Sequence, residues 1–388
     1  MSDDNTGTDT GTGAPAAETE YPDMPEMIVS TRDAEDLRVT MASWLGERLD
    51  APAPPAVSEV GSNSSNGMSS ETMLFEAHWT DADGNQHTED LVARIAPDDA
   101  NEPVFSSYEL GHQFELMRLV GELTDVPVPK VRWLEPDPGV IGSPFFLMDR
   151  VDGIVPPDVM PYNFGDSWVY DASPEDQRRL QDSTVAVLAG LHDIADAETR
   201  FSFLAKSAPG DTPLRRHVAH TRSWYEFAAA RAKPSSLIED GFAWLDAHWP
   251  DEGPAVLSWG DSRIGNVMYR DFEPVAVLDW EMAGLGPREL DLGWLVFAHM
   301  VFETIAKAMG LGGMPDFLRG DDVAATYEKL TGYAPRDLDF YLVYAAIQWG
   351  VVFMRTGTRQ VHFGEIPMPD DIHELMHHRD LFRELLGH

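Results

Sequence analysis

The chain has 388 residues and a formal net charge of −38, from 66 Asp and Glu against 28 Lys and Arg, and it contains no cysteine. That length allows one large or two medium domains, and an apolar fraction of 43% supplies a core. Disulfides, thiolate nucleophiles and zinc–thiolate centres are excluded, the acidic surface disfavours nucleic acid and anionic membrane, and no apolar run is long enough to span a bilayer. A surface this acidic either steers a cationic ligand inward or serves solubility, as in a saline host. The lack of cysteine fits a cytoplasmic protein.

Residues 1–28 are rich in Thr, Gly, Asp, Ala and Pro and read as a disordered acidic tail, with neither the basic nor the apolar region of a signal peptide. Ser30–Thr31 signals a helix cap for DLRVTMASWLGERL, in which Leu37, Met41, Trp44, Leu45 and Leu49 fall near helical spacing. APAPPA ends that helix. From about 57 to 97 the texture changes to strand and turn. A Gly/Ser/Asn-rich loop containing Ser64, Ser65 and Asn66 lies between strand-like segments, and small residues there let backbone N–H groups approach phosphate oxygens. Surface hairpin loops use the same residues. The following strand, LVARIA, carries Arg94 among Leu91, Val92, Ala93 and Ile95; a buried cation needs a carboxylate or phosphate partner. SSYELGHQFELMRLVGEL then reads as helix, DVPVPK as extended chain, and VRWLE and SPFFLMDRVDG as two strands, the second ending in a connector at Asp149–Gly153.

The remainder reads mainly as helix. Ser173 caps the first, with Pro174 at its first position and Glu175 and Asp176 in its first turn. Only Leu257–Trp280 interrupts the helical periodicity with strand. The predicted architecture is therefore α+β, with a β-rich lobe at 29–150 and a mainly helical lobe at 151–388 that carries the functional loops.

The sequence LSWGDSRIGNVMYRDFEPVAVLDWEMAGLGPRELDLGW, from Leu257 to Trp294, holds the candidate chemistry. A strand end, a polar loop and a hairpin whose second strand stops at Asp279 bring Asp261, Asn266 and Asp279 together. Mg²⁺ takes a few such oxygens together with phosphate oxygens and waters.

In WGDSRIGN, VLDWEMAGLGPRELDLGW, the VPVP connector with FFLMDRVDG, and GMPDFLRGDDVAATYEKLTG, the chain resembles the aminoglycoside phosphotransferase (choline kinase-like) family. The likeness is strongest to actinobacterial members and to the kinase-like domains fused to some acyl-CoA dehydrogenases, and it covers roughly residues 35–385. It implies a protein-kinase-like two-lobe fold and transfer of a phosphoryl group from ATP, or GTP, to a hydroxyl of a small metabolite, with Mg²⁺. By position, Asp261 is the implied base, Asn266 and Asp279 the Mg²⁺ ligands, and Arg263 a cation beside the transferring group. Asp291 becomes a brace for the catalytic loop. Arg94 stands where the family has a lysine, and the helix that should offer it a glutamate aligns at Gln113, with Glu115 and Glu109 as alternatives. Trp259 replaces the usual His before Gly-Asp. The adenine would lie on the connector, against Met148 and the backbone of Asp149 and Val151.

For the acceptor, Arg355, Arg359, His362 and Glu365 form a candidate pocket-lining segment. Two arginines and a histidine suit an anionic or neutral hydroxylated acceptor, such as a hydroxyacyl-CoA, better than a cationic aminosugar. The rival reading is a nucleotide-binding pseudokinase that uses its acidic surface as a binding module. His192 reads as a core histidine behind the loop. His373, His377 and His378 have a spacing open either to a metal or to a solvated helix.

Overall fold

The computed structural model describes residues 33–49, 51–58, 61–62, 71–97, 103–158 and 161–387. The tail at 1–28, the Ser30–Thr31 cap and the loop residues Ser64, Ser65 and Asn66 lie outside the described residues. Helix α1 (Ala34–Gly46) is capped instead by Asp33, whose carboxylate accepts from the N–H groups of Glu35 and Asp36 at 2.9 and 3.0 Å.

Strands β1 (Ala56–Val57), β2 (Gly61–Ser62), β3 (Glu71–Thr80), β4 (Gln86–Ile95), β5 (Val131–Glu135) and β6 (Phe145–Asp149) form one antiparallel sheet. Its order is β1-β3-β4-β6-β5, with β2 also on β3, and α2 (Leu110–Leu123) separates β4 from β5 in the chain. Alternation along the central strand β4 decides what each face does. Leu91, Ala93 and Ile95 point to one side, where they are buried with Phe145 and Leu147 beneath Leu37, Met41, Trp44 and Leu45 of α1. Val92 and Arg94 point to the other, and Arg94 pairs in register with Thr72 and Phe146. One face is thus a sealed core and the other a cleft wall with a cation in it.

The second lobe contains α3 (Pro174–His192), α4 (Ala197–Arg200), α5 (Pro213–Ala229), α6 (Ser236–Ala247), α7 (Glu289–Ala308), α8 (Gly320–Thr331), α9 (Leu338–His362) and α10 (Arg379–Leu386). The Ser173 hydroxyl caps α3 by accepting from Asp176 N–H at 3.1 Å. Helix α9 runs through the middle, packed by α5, α6, α7 and α10. Between α6 and α7 lie β7 (Val256–Ser258), the hairpin β8 (Val267–Arg270) and β9 (Glu273–Val277), and β10 (Gly284–Gly286), which returns antiparallel to β7. Strand β10 extends the β region beyond Trp280, and a three-residue Gly-Leu-Gly segment carries no periodicity that would reveal it. Helix α9 also continues past the apolar stretch through TGTRQVH, and Leu375 packs against it where Gly357 has no side chain. Among the described residues no helix is long and apolar enough to cross a membrane.

Leu45→Ala removes a fully buried side chain from the α1 face of the sheet. It should lower unfolding free energy by about 2–5 kcal/mol in a denaturant titration while leaving the opposite, cleft-facing wall intact.

Candidate active site

Strand β7 delivers the chain to a loop whose shape is set by Gly260. Its φ is 92°, and a Cβ there would overlap the carbonyl oxygen of Met282, so the turn and the close approach of the 279–284 segment both require glycine. The loop is held by Asp291, fully buried in the first turn of α7. Oδ1 accepts from the Ser258 hydroxyl and Gly260 N–H, both at 2.9 Å. Oδ2 accepts from Trp259 N–H at 2.8 Å and His192 Nε2 at 3.0 Å. His192 in turn accepts at Nδ1 from the Tyr327 hydroxyl at 2.8 Å, and the Ser262 hydroxyl donates to the Asp291 carbonyl at 2.8 Å.

Asp261 Oδ1 accepts from Trp294 Nε1 at 2.8 Å and from Arg263 Nε at 3.1 Å. Burial raises the Asp261 carboxyl above the ordinary carboxylate range; Arg263 works against that shift and the charge of Asp279 adds to it. Arg263 also forms an ion pair with Asp158, which approaches so closely that Gly265 admits no side chain. Asn266 donates from Nδ2 to the Asp261 carbonyl at 3.0 Å, which turns its Oδ1 away from that carbonyl. Asp279 follows β9 with a left-handed φ of 58°, an uncommon conformation outside glycine. Trp259 holds that strand end by donating from Nε1 to the carbonyls of Leu278 and Asp279 at 2.9 and 3.2 Å.

Arg94 reaches across from the sheet lobe to Asp279 Oδ1 at 2.7 Å and lies 3.6 Å from Glu281. The carboxylates beside Arg94 therefore come from the DWE segment, not from α2. Glu115 is paired with Arg118 at 2.6 Å, Glu109 stands at the N-cap of α2, and Gln113 lies buried in the cleft wall.

Two cavities meet here. A cleft of about 380 Å³ is lined by Val92, Arg94, Met148, Asp149, Val151, Asn266 and Asp279. A second, of about 450 Å³, is lined by Asp158, Asp261, Arg263, Asp279 and Glu281 at one end and by apolar side chains beyond them. None of Arg355, Arg359, His362 and Glu365 lies on its wall. They sit in and just after the last turns of α9, where Arg355 is buried against the Pro103 carbonyl at 2.6 Å, while Trp349, Val352 and Phe353 of the same helix face the cavity. His378 is buried and bonded to the Ala346 carbonyl at 2.9 Å, His373 lies 3.1 Å from the Ser235 hydroxyl, and His377 is on the cavity wall. Among the described residues no cluster of three or more His, Cys, Asp or Glu could hold a metal.

Sequence reasoning missed Asp158, Trp294 and Glu281. The last two sit inside the Leu257–Trp294 stretch, so their neighbourhood was visible; Asp158, about a hundred positions away, gave no signal. The pair Asn266 and Asp279 is a hard-oxygen donor set on the cleft wall, which fits Mg²⁺ shared with phosphate oxygens.

Replacing Asp291 with Asn should cost about 3 kcal/mol or more of stability, because an amide NH₂ would face N–H donors in a buried site. Calorimetric unfolding checks this.

Residues 77–322 match the family model described as Phosphotransferase enzyme family (APH). Probable acyl-CoA dehydrogenase IBR3 of Arabidopsis thaliana is 27% identical over 233 residues, which are 55% of this chain and 27% of that protein, so the chain spans about a quarter of that relative's length. A solved structure from Ralstonia eutropha, assigned to the aminoglycoside phosphotransferases, superposes with a TM-score of 0.61 at 21% identity over 90% of this chain and 96% of that one. Aminoglycoside 2′-phosphotransferase-IIIa in its GDP complex gives 0.55 at 13% identity over 92% and 99%. These likenesses establish the protein-kinase-like two-lobe α+β fold. With the family model covering well over half of the sequence, the chain belongs to the phosphotransferase enzyme family.

Proposed function

We propose that the protein is a cytoplasmic, Mg²⁺-dependent O-phosphotransferase that moves the γ-phosphoryl group of ATP, or of GTP, to a hydroxyl of a small molecule. The observation that carries this reading is that Asp279 lies on the walls of both cavities, with Arg94 and Asn266 on the cleft side and Asp261 and Arg263 on the other. A donor in the cleft and an acceptor in the second cavity would then meet at one carboxylate. The GDP held by aminoglycoside 2′-phosphotransferase-IIIa supports a nucleotide as donor.

In this reading Asp261 orients the acceptor hydroxyl and takes its proton; burial raises the affinity of its carboxyl for a proton, the direction a general base needs. Trp294 and Arg263 fix the carboxylate before the acceptor arrives, so the geometry is set in advance. Arg94 and Arg263 bring positive charge to the two sides of the transfer point, where negative charge is spread over the phosphoryl oxygens. Mg²⁺ held by Asn266 and Asp279 would neutralise phosphate charge.

Asp261→Asn should reduce turnover by about 10²- to 10⁴-fold. The folded-state carboxyl has a raised pKa, so its protonated form is the one that favours folding, and that contribution is lost as pH rises through the folded value. Asn imitates the protonated form, so melting at neutral pH should be unchanged or raised; a lowered melting point would mark a structural role instead. The acid limb of kcat/KM should fall above the ordinary carboxylate range. Arg263→Ala, which removes the charge that lowers this pKa, should move that limb to still higher pH in a rate–pH profile.

A further inference from the structure

We propose that the acceptor is an apolar alcohol, a hydroxyl group carried on a hydrocarbon body, and not a polycationic aminosugar; this rests on the phosphotransfer reading above. The cavity of about 450 Å³ that opens on Asp261 is divided by chemistry. Among the described residues its carboxylates are confined to the catalytic end, where four of them share two arginines. Asp158 and Asp261 share Arg263, and Asp279 and Glu281 share Arg94. Beyond that end the wall is made chiefly of Phe164, Met282, Val301, Phe302, Val352 and Phe353.

His377, among the described residues the one ionisable side chain on the far wall, lies edge-on to Phe353 with centroids 5.1 Å apart. Its pKa is lowered by burial and then by Arg379, which keeps the ring uncharged near neutrality. An aminosugar would bring several ammonium groups and ring hydroxyls, each of which needs a carboxylate or hydrogen-bond partner once it leaves water. Away from the catalytic end the described wall offers no carboxylate, and its only polar side-chain groups are the Trp349 indole N–H and the His377 imidazole, too few for a polyamine. A hydrocarbon body needs no such partners, and its burial is favourable. The excess of carboxylates over guanidinium groups lies at the catalytic end, where Mg²⁺ and phosphates would sit, and not along the part of the cavity that would hold the acceptor's body.

The reaction balances as a simple displacement. The alcohol oxygen forms a bond to the γ-phosphorus while the bond from that phosphorus to the β,γ-bridging oxygen breaks. The bonding pair leaves with ADP, and the alcohol proton goes to Asp261.

The test uses the full chain with Mg-ATP, primary alkanols from ethanol to decanol, and kanamycin. Products are identified by mass, and Mg-ATP binding is measured separately by thermal shift. Alkyl phosphates should form with kcat/KM rising about three- to fourfold per added methylene until the cavity is filled. Kanamycin should fall below the best alkanol. Phe302→Ser in the wall, and Met309→Ser at its exposed lip where folding is not at risk, should flatten that slope without changing Mg-ATP binding. A flat series, kanamycin as the best acceptor, or no alkyl phosphate despite Mg-ATP binding overturns this inference while leaving phosphotransfer itself standing. Absence of both Mg-ATP binding and transfer to any acceptor overturns the phosphotransfer reading, and this one with it.

Discussion

The buried carboxylate of Asp291 is the constraint on which the site depends. An ionised carboxylate removed from water is tolerated only when its oxygens are filled by donors, and here four donors fill them. Those donors come from the end of β7, from the loop after it and from the last residue of α3, while the carboxylate itself stands in the first turn of α7, where a helix favours negative charge. Satisfying one buried group therefore fixes three elements relative to one another. The same turn of α7 carries Trp294, three residues on, whose indole N–H reaches Asp261. The residue that shapes the loop and the residue that aims the Asp261 carboxylate are thus neighbours on one rigid helix, so that carboxylate inherits the helix's rigidity.

A second dependence runs between the lobes through arginine. The chain is strongly acidic, yet the four carboxylates where the two cavities meet face two guanidinium groups, Arg94 from the sheet and Arg263 from the loop. Arginine can hold two carboxylates because its donors form a planar fork, which the ammonium of a lysine does not offer. That accounts for a cation on β4 paired with the segment after β9, with no carboxylate supplied by α2. The lobes are joined at the place where phosphates would bind.

Much of this was legible in the sequence. The period-two pattern of β4, the Ser173 cap, the hairpin and the clustering of Asp261, Asn266 and Asp279 rest on local rules, and a local rule can be read from a short window. The acceptor wall was not legible. The segment with Arg355 and Arg359 attracted attention because it is charged, but helical rotation places Trp349, Val352 and Phe353 towards the cavity and buries Arg355 on another side. In a helix that is apolar over most of its circumference, sequence does not tell which apolar stripe faces a cavity and which faces a neighbouring helix. Asp158 was hidden for a related reason: its partner is 105 positions away, and only the three-dimensional path of the connector brings the two together. The proposal of a non-cationic acceptor accordingly rests on the apolar wall and not on the arginines of α9.

In the proposed reaction the divided cavity also bears on how Asp261 would work as the base. Burial is the largest cause of the raised Asp261 carboxyl, and part of that burial comes from the apolar side chains of the acceptor cavity. Water entering an open cavity would solvate the carboxylate and weaken it as a proton acceptor. An apolar body occupying the same space would keep water out and leave the carboxylate to Trp294, Arg263, Asn266 and the incoming hydroxyl. The base is then strongest when the acceptor is in place, and least effective when only water is present to take the phosphoryl group. A hydrophilic acceptor that carried its own hydration into the site would forfeit this coupling. In that reading the same apolar wall would both select the acceptor and sharpen the base that acts on it.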